Sequence, residues 1–172
     1  MISITVDKSQ FNIDKIYSDI EKRTENLVND IAEAGRDIAR TNFDLALYAG
    51  HNDAEVIVEP GESGEISKSI VATGTSVLFI EFGTGILYPD RHPQSAEFGF
   101  VRGTYGKGQG ANQKGWFYQG EAGELGEPAK NPKLASRGLM HTYGNPANMC
   151  MYDTAKELKA RMAEFVERSF EK

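Results

Sequence analysis

Apolar side chains recur along the chain with two different periods, and each change of period marks an element. From about 11 to 48, Ile13, Ile16, Ile20, Thr24, Leu27, Ile31, Ala34, Ile38, Thr41 and Leu45 follow one another at steps of three or four. Such steps return to one face of an α-helix. Asp14, Lys15, Glu21, Lys22, Arg23, Asp30, Asp37 and Arg40 fall between them as a solvated face. The segment predicts a helix roughly 50 Å long at 1.5 Å per residue. Ser9 is its expected N-cap and Gly50 its terminator. Gly35 marks either a bend or a close packing contact.

Short alternating runs predict strands. Residues 1–6 alternate Ile2, Ile4 and Val6, and residues 54–59 and 65–73 form two further runs. SVLFIEF, 76–82, is the most apolar stretch and reads as a central strand. Pro60-Gly61 and Gly74-Thr75 supply the turns. The last three runs predict an antiparallel meander, with residues 1–6 added at an edge. A second helix is expected over about 148–170, with Asn148 as N-cap. Met151, Ala155, Leu158, Met162, Phe165 and Ser169 share one face, with Val166 beside them.

Between 83 and 147 the periodicity disappears. This stretch holds five of the six prolines, most of the glycines, the single Trp and two of the three His. Its aromatic content is too high for a solvated linker. EFGFVRG and GWFYQG are expected to pair as a hairpin across TYGKGQGANQK. The fold class that follows is α+β: a small antiparallel sheet flanked by a long N-terminal helix and a C-terminal helix. Residues 1–172 form one domain, with 85–147 as a glycine- and aromatic-rich insertion or arm.

Composition narrows the function classes. The formal net charge is −6 and no basic block occurs. Displacing counterions from a nucleic-acid backbone needs clustered Lys and Arg, so a dedicated nucleic-acid binder is disfavoured. A single cysteine, Cys150, permits no intrachain disulfide. The N-terminus has no signal-peptide pattern, and no run of about 18 apolar residues predicts a membrane helix. A protein made in the cytoplasm, without a membrane partner, is expected.

Four groups of residues invite a chemical reading, and Glu81 a fifth. GKGQG lacks the Ser or Thr after the lysine, and the following helix, that a phosphate loop needs. His51, His92, His141 and Cys150 have separations that match no compact zinc motif, so no metal and no cofactor is expected. Cys150 with His141 as base would make a thiol hydrolase, but no orienting group or oxyanion hole is signalled. Trp116, Phe117 and Tyr118 can stack bases, though only Lys107 and Lys114 lie near. A satellite core or a protein–protein anchor fits them better. Glu81 interrupts an apolar run, and strand alternation places it on an outer face or at a subunit contact, paired with Arg or Lys.

Two motifs carry a resemblance. Phe79, Ile80, Glu81, Phe82, Gly83 and Thr84 form a hydrophobic-E-F-G-T segment. His141, Thr142, Gly144, Asn145, Pro146 and Ala147 follow the pattern H-T-x-G-N-P-A-x-x-M, with Tyr143 at its variable position; Met151 stands one residue beyond the pattern's methionine position, which is Cys150. In this order, between two helices, they resemble the tail-completion or head–tail joining proteins of tailed phages. The resemblance covers nearly the whole chain. It implies a virion protein without catalytic residues that forms a homo-oligomeric ring, by analogy a hexamer. That ring would lie between the head connector and the tail tube, with DNA only as passing cargo. Head closure or a minor capsid role is the alternative it leaves. Interface candidates are Glu81, Phe82, Thr84, Tyr105, Trp116, Phe117, Tyr118, His141 and Tyr143.

Overall fold

The computed structural model describes residues 12–85, 91–101, 115–123 and 125–171. The fold is α+β, with a long N-terminal helix, small antiparallel sheets and a helical C-terminus. Helix α1 spans Ile13–Asp44 and is capped by Asn12, whose side chain accepts from the Lys15 amide. Ser9 and the expected strand at 1–6 lie outside the described residues. The helix stops at Leu45, where the backbone amide turns back to Phe43 and Thr41. Gly50, the expected terminator, comes later, in the following loop.

The face of α1 that packs inward is rotated from the expected one. Ala32, Gly35, Ala39 and Phe43 are buried, while Ile13, Ile16, Ile20 and Leu45 are exposed. Small residues are used because two elements converge there. A Cβ on Gly35 would collide with Cδ1 of Ile70 and lie 2.7 Å from Cδ1 of Leu158. Gly35 is therefore a packing contact.

Strands β1 (Glu55–Pro60) and β2 (Lys68–Thr73) pair antiparallel, with Val56 opposite Ala72 and Val58 opposite Ile70. The expected third strand of this meander is instead a short helix, α2 (Val77–Phe82). Of its four buried residues, Val77, Ile80 and Glu81 stand three and four apart, as a helix requires, and Phe82 is buried at its end. A continuous apolar run of this length does not distinguish a strand from a buried helical turn. Asp53 decides it. One carboxylate oxygen accepts from the Thr75 amide and hydroxyl at 2.9 and 2.7 Å. The other accepts from the Ser76 amide at 2.9 Å and from the Ser76 hydroxyl. Four donors at the entrance of α2 fix a helical start.

A second sheet has the order β3-β5-β4, from Trp116–Gln119, Leu139–Thr142 and Glu127–Pro128. The expected hairpin partner, EFGFVRG, is in turns over most of its described part, and GWFYQG pairs with LMHT instead. A helical turn, α3 (Pro132–Ala135), links β4 and β5. The C-terminal helix is divided at Arg161 into α4 (Cys150–Ala160) and α5 (Met162–Phe170). Their inward residues are Cys150, Thr154, Leu158 and Phe165, so Ala155 and Met162 of the expected face turn outward. Asn148 is not the N-cap; Met149, left-handed at φ 54°, precedes the helix.

The core joins these layers. Ala39, Phe43 and Ala46 from the α1 region meet Val56, Val77, Ile80 and Cys150. Burying Phe43 and Ile80 contributes about 1.5–3 kcal/mol each. Asn42 fastens α1 to α4 by donating to the Cys150 carbonyl at 3.2 Å and the Thr154 hydroxyl at 3.1 Å.

Candidate functional site

The two sequence motifs, far apart in the chain, meet in one junction. Helix α2 ends at Gly83, whose φ of 75° only glycine adopts without strain. A Cβ there would lie 2.6 Å from the Ala147 nitrogen. Thr84 then pairs with Asn145 as in a short antiparallel ladder. The Thr84 amide donates to the Asn145 carbonyl at 3.0 Å, and the Asn145 amide donates back at 3.2 Å. Gly144 has φ 120°, and a Cβ there would collide with the Thr84 carbonyl. Backbone approach this close leaves room only for glycine.

The side chains of the second motif complete the junction. Asn145 donates to the Thr84 hydroxyl at 2.9 Å and accepts from the Ala49 amide at 2.7 Å. Asn148 accepts from the Leu47 amide at 2.9 Å and donates to the Leu47 and Ile80 carbonyls. One motif thus holds both the loop after α1 and the end of α2. Among the described residues no buried side-chain nitrogen or oxygen lacks a partner.

Glu81 is the buried charge of this junction. One of its oxygens accepts from the Met151 amide at 2.8 Å and the other from the Tyr152 amide at 2.9 Å. These are first-turn amides of α4, which have no partners within their own helix. The carboxylate therefore caps α4 from another element and meets the positive end of its dipole. His92 lies 3.2 Å from the same carboxylate. The Gln94 amide donates to Nδ1 of His92 at 3.1 Å, so that nitrogen is unprotonated and Nε2 carries the proton given to Glu81. Strand alternation expects an Arg or Lys partner for Glu81 at an outer face. The observed partners are a histidine and two amides inside the chain, because the segment is a helix and turns the residue inward.

Aromatic packing closes the other side. Phe82 stacks on Phe100 at 4.7 Å and meets His92 at 4.3 Å and Phe98 at 5.2 Å. Residues 92–100 thus lie over α2. On β3, Trp116 and Tyr118 point inward, as strand alternation dictates. They line a cavity of about 230 Å³ with Tyr48, Phe79, Thr142 and Asn145. Phe117 points the other way, to His141 at 5.1 Å, and His141 meets Tyr143 at 4.8 Å. His141 also lies 3.5 Å from Glu127.

Of the candidate interface residues, Glu81, Phe82 and Thr84 are buried within the chain, Trp116, Phe117, Tyr118 and His141 are half-buried, and Tyr143 is exposed. Tyr105, with the GKGQG run, lies outside the described residues. Asp53, His92 and Asn148 belong to the junction and its supports, although the sequence does not single them out for that role. The contact of Asp53 with Thr75 and Ser76 joins the two ends of a hairpin, and no local pattern reveals it.

The chemistry available here is limited by burial. The Cys150 thiol is pushed up to about 12 by desolvation and by the Glu81 charge. It stays protonated at neutral pH and is a poor nucleophile. Two of the three base-stacking candidates face the cavity, not solvent. Among the described residues no group of three or more His, Cys, Asp or Glu side chains is placed to hold a metal ion. No helix among them is long and apolar enough to cross a membrane. No family model, no curated protein and no solved structure matches the chain.

Proposed function

We propose that this protein is a structural subunit of a phage neck, forming a ring that joins the head connector to the tail. The observation that carries the reading is the junction of FIEFGTG with HTYGNPANM. The two segments whose order resembles the tail-completion family form one hydrogen-bonded unit about Thr84 and Asn145. Motifs that meet in this way are a single architectural feature, and the resemblance then rests on one feature instead of two short strings. The polar groups at this unit support a scaffold role, since Glu81, Asn145 and Asn148 are all engaged in holding elements together. A hexamer matching tail symmetry is part of the proposal, as are the connector and tail tube as neighbours. DNA is cargo that passes through the ring, and the protein resides in the virion.

The test is electron microscopy of particles assembled without this protein. Full heads and separate, unattached tails are expected. Normal virions would overturn the reading.

A further inference from the structure

Among the described residues, helix α1 outruns its cover. Helix α5 ends against Arg23, which donates to the carbonyls of Ser169 and Phe170 at 3.4 and 3.3 Å. The stretch of α1 before that point, about 15 Å of helix, carries the apolar stripe Ile13, Ile16, Tyr17 and Ile20. These are 60%, 46%, 69% and 50% exposed. Four large apolar side chains on one helix face, left in water, mark an interaction surface.

The same chain presents a second uncovered stripe. On the outward side of α5, Met162, Val166 and Phe170 succeed one another at steps of four and are each about two-fifths exposed. Acidic residues flank the first stripe, whereas the Met162 end of the second stripe is basic and Glu167 lies beside its Phe170 end. Asp14 and Glu21 stand three and four residues from Tyr17, and Asp19 stands three from Ile16; Lys15 and Lys22 fall on the far side of the helix. Beside the second stripe stand Lys156 and Lys159 of α4, the latter one turn before Met162. None of Asp14, Asp19, Glu21, Lys156 and Lys159 takes part in an ion pair among the described residues. Two acidic residues of α4 and α5, Glu157 and Glu164, are turned to Arg161, and a third, Glu167, lies at the far end of the stripe from the two lysines.

We infer that the N-terminal third of α1 docks on the outward stripe of α4 and α5 in a second copy of this chain. Apolar ridges interleave, and Asp14, Asp19 and Glu21 face Lys156 and Lys159 across the contact. The two surfaces differ, so the contact is heterologous. Each copy keeps one free surface of each kind, and repetition closes a ring or runs on as a filament. This deepens the ring reading given above by naming the surface, although the stripes and their charges stand without it.

The test uses the full chain, with mass measured by sedimentation over a range of protein concentrations and salt. Wild type is expected to associate. The exposed double substitution Ile16→Glu with Ile20→Glu should weaken association at least about tenfold with unchanged circular dichroism. Asp14→Lys with Glu21→Lys should weaken it, as should Lys156→Glu with Lys159→Glu, and the four changes together should restore it. A wild type that stays monomeric overturns the inference. So do variants that associate like wild type, a missing charge-swap rescue, or association that starts only after residues 1–11 are deleted. Failure of the neck reading is separate: particles lacking the protein would then be normal while the sedimentation results hold.

Discussion

Thr84 and Asn145 lie 61 residues apart in sequence and exchange both of their main-chain hydrogen bonds, with a third bond between their side chains at 2.9 Å. This pair ties the end of α2 to the entry of α4, and Asn145 extends the tie to Ala49 in the loop after α1. Asn145→Ala would leave the buried Ala49 amide unpaired and take from the Thr84 hydroxyl its side-chain donor, leaving only the longer bond from the backbone amide of residue 145 at 3.3 Å. A loss of about 2–4 kcal/mol is expected in urea unfolding. Thr84→Val should cost less, since it removes one partner and keeps the backbone pair. Equal losses would argue against the assigned bonds.

Gly144→Ala tests the backbone approach itself. Its φ of 120° and the Thr84 carbonyl pressed against the position of the added carbon both oppose any side chain. The expected result is a destabilisation larger than the roughly 1 kcal/mol of an ordinary glycine position. Gly64→Ala is the control: its φ is also positive, at 93°, but nothing lies within 4 Å of an added carbon. The difference between the two midpoints reads the steric part.

Glu81→Ala removes the cap of α4 and the partner of His92 together. About 2–3 kcal/mol should be lost, with the amides of Met151 and Tyr152 losing hydrogen-exchange protection first. Glu81→Gln keeps one acceptor and is expected to fall between. Protection that stays unchanged in Glu81→Ala would show that the cap is dispensable.

Asp53 sets the acid behaviour. Hydrogen bonds from the hydroxyls and amides of Ser76 and Thr75 hold its carboxyl well below the usual carboxylate range. The unfolded chain therefore binds this proton more readily than the folded one, and stability rises with pH. The contribution is complete above the ordinary value of about 4 and is lost as pH falls from there through the lowered folded value. In thermal unfolding, Asp53→Asn should lower Tm at pH 7, and the gap to wild type should narrow progressively below about pH 4. A gap that is constant with pH would mean the carboxylate charge is not the cause.

Cys150 should be silent to thiol reagents in the native state. It is buried and its pKa is pushed up to about 12. Alkylation at pH 8 should proceed only as fast as the protein opens, and at the rate of a free thiol in denaturant. Rapid native labelling would revive the thiol-hydrolase reading.

The long helix, the hairpin at 55–73 and the terminal helices are legible in the sequence because each has a sustained period and clear breakers. The inner face of α1 is not. Its residues Ala32, Gly35 and Ala39 are small, and at Gly35 the side chains of β2 and α4 press in. A hydrophobicity pattern ranks large residues first and so selects the neighbouring stripe. Part of that stripe is the uncovered ridge from Ile13 to Ile20.

FIEF shows the same limit from the other side. Its residues alone mark the segment as apolar, Gly83 as the turn that follows and Glu81 as an exception needing a partner. Helix over strand depends on contacts made in the folded chain, with Asp53 on one side and the α4 amides on the other. Hydrogen bonds between residues tens of positions apart leave no periodic trace. Local periodicity records which side chains avoid water, whereas the identity of their partners depends on how the chain closes in space.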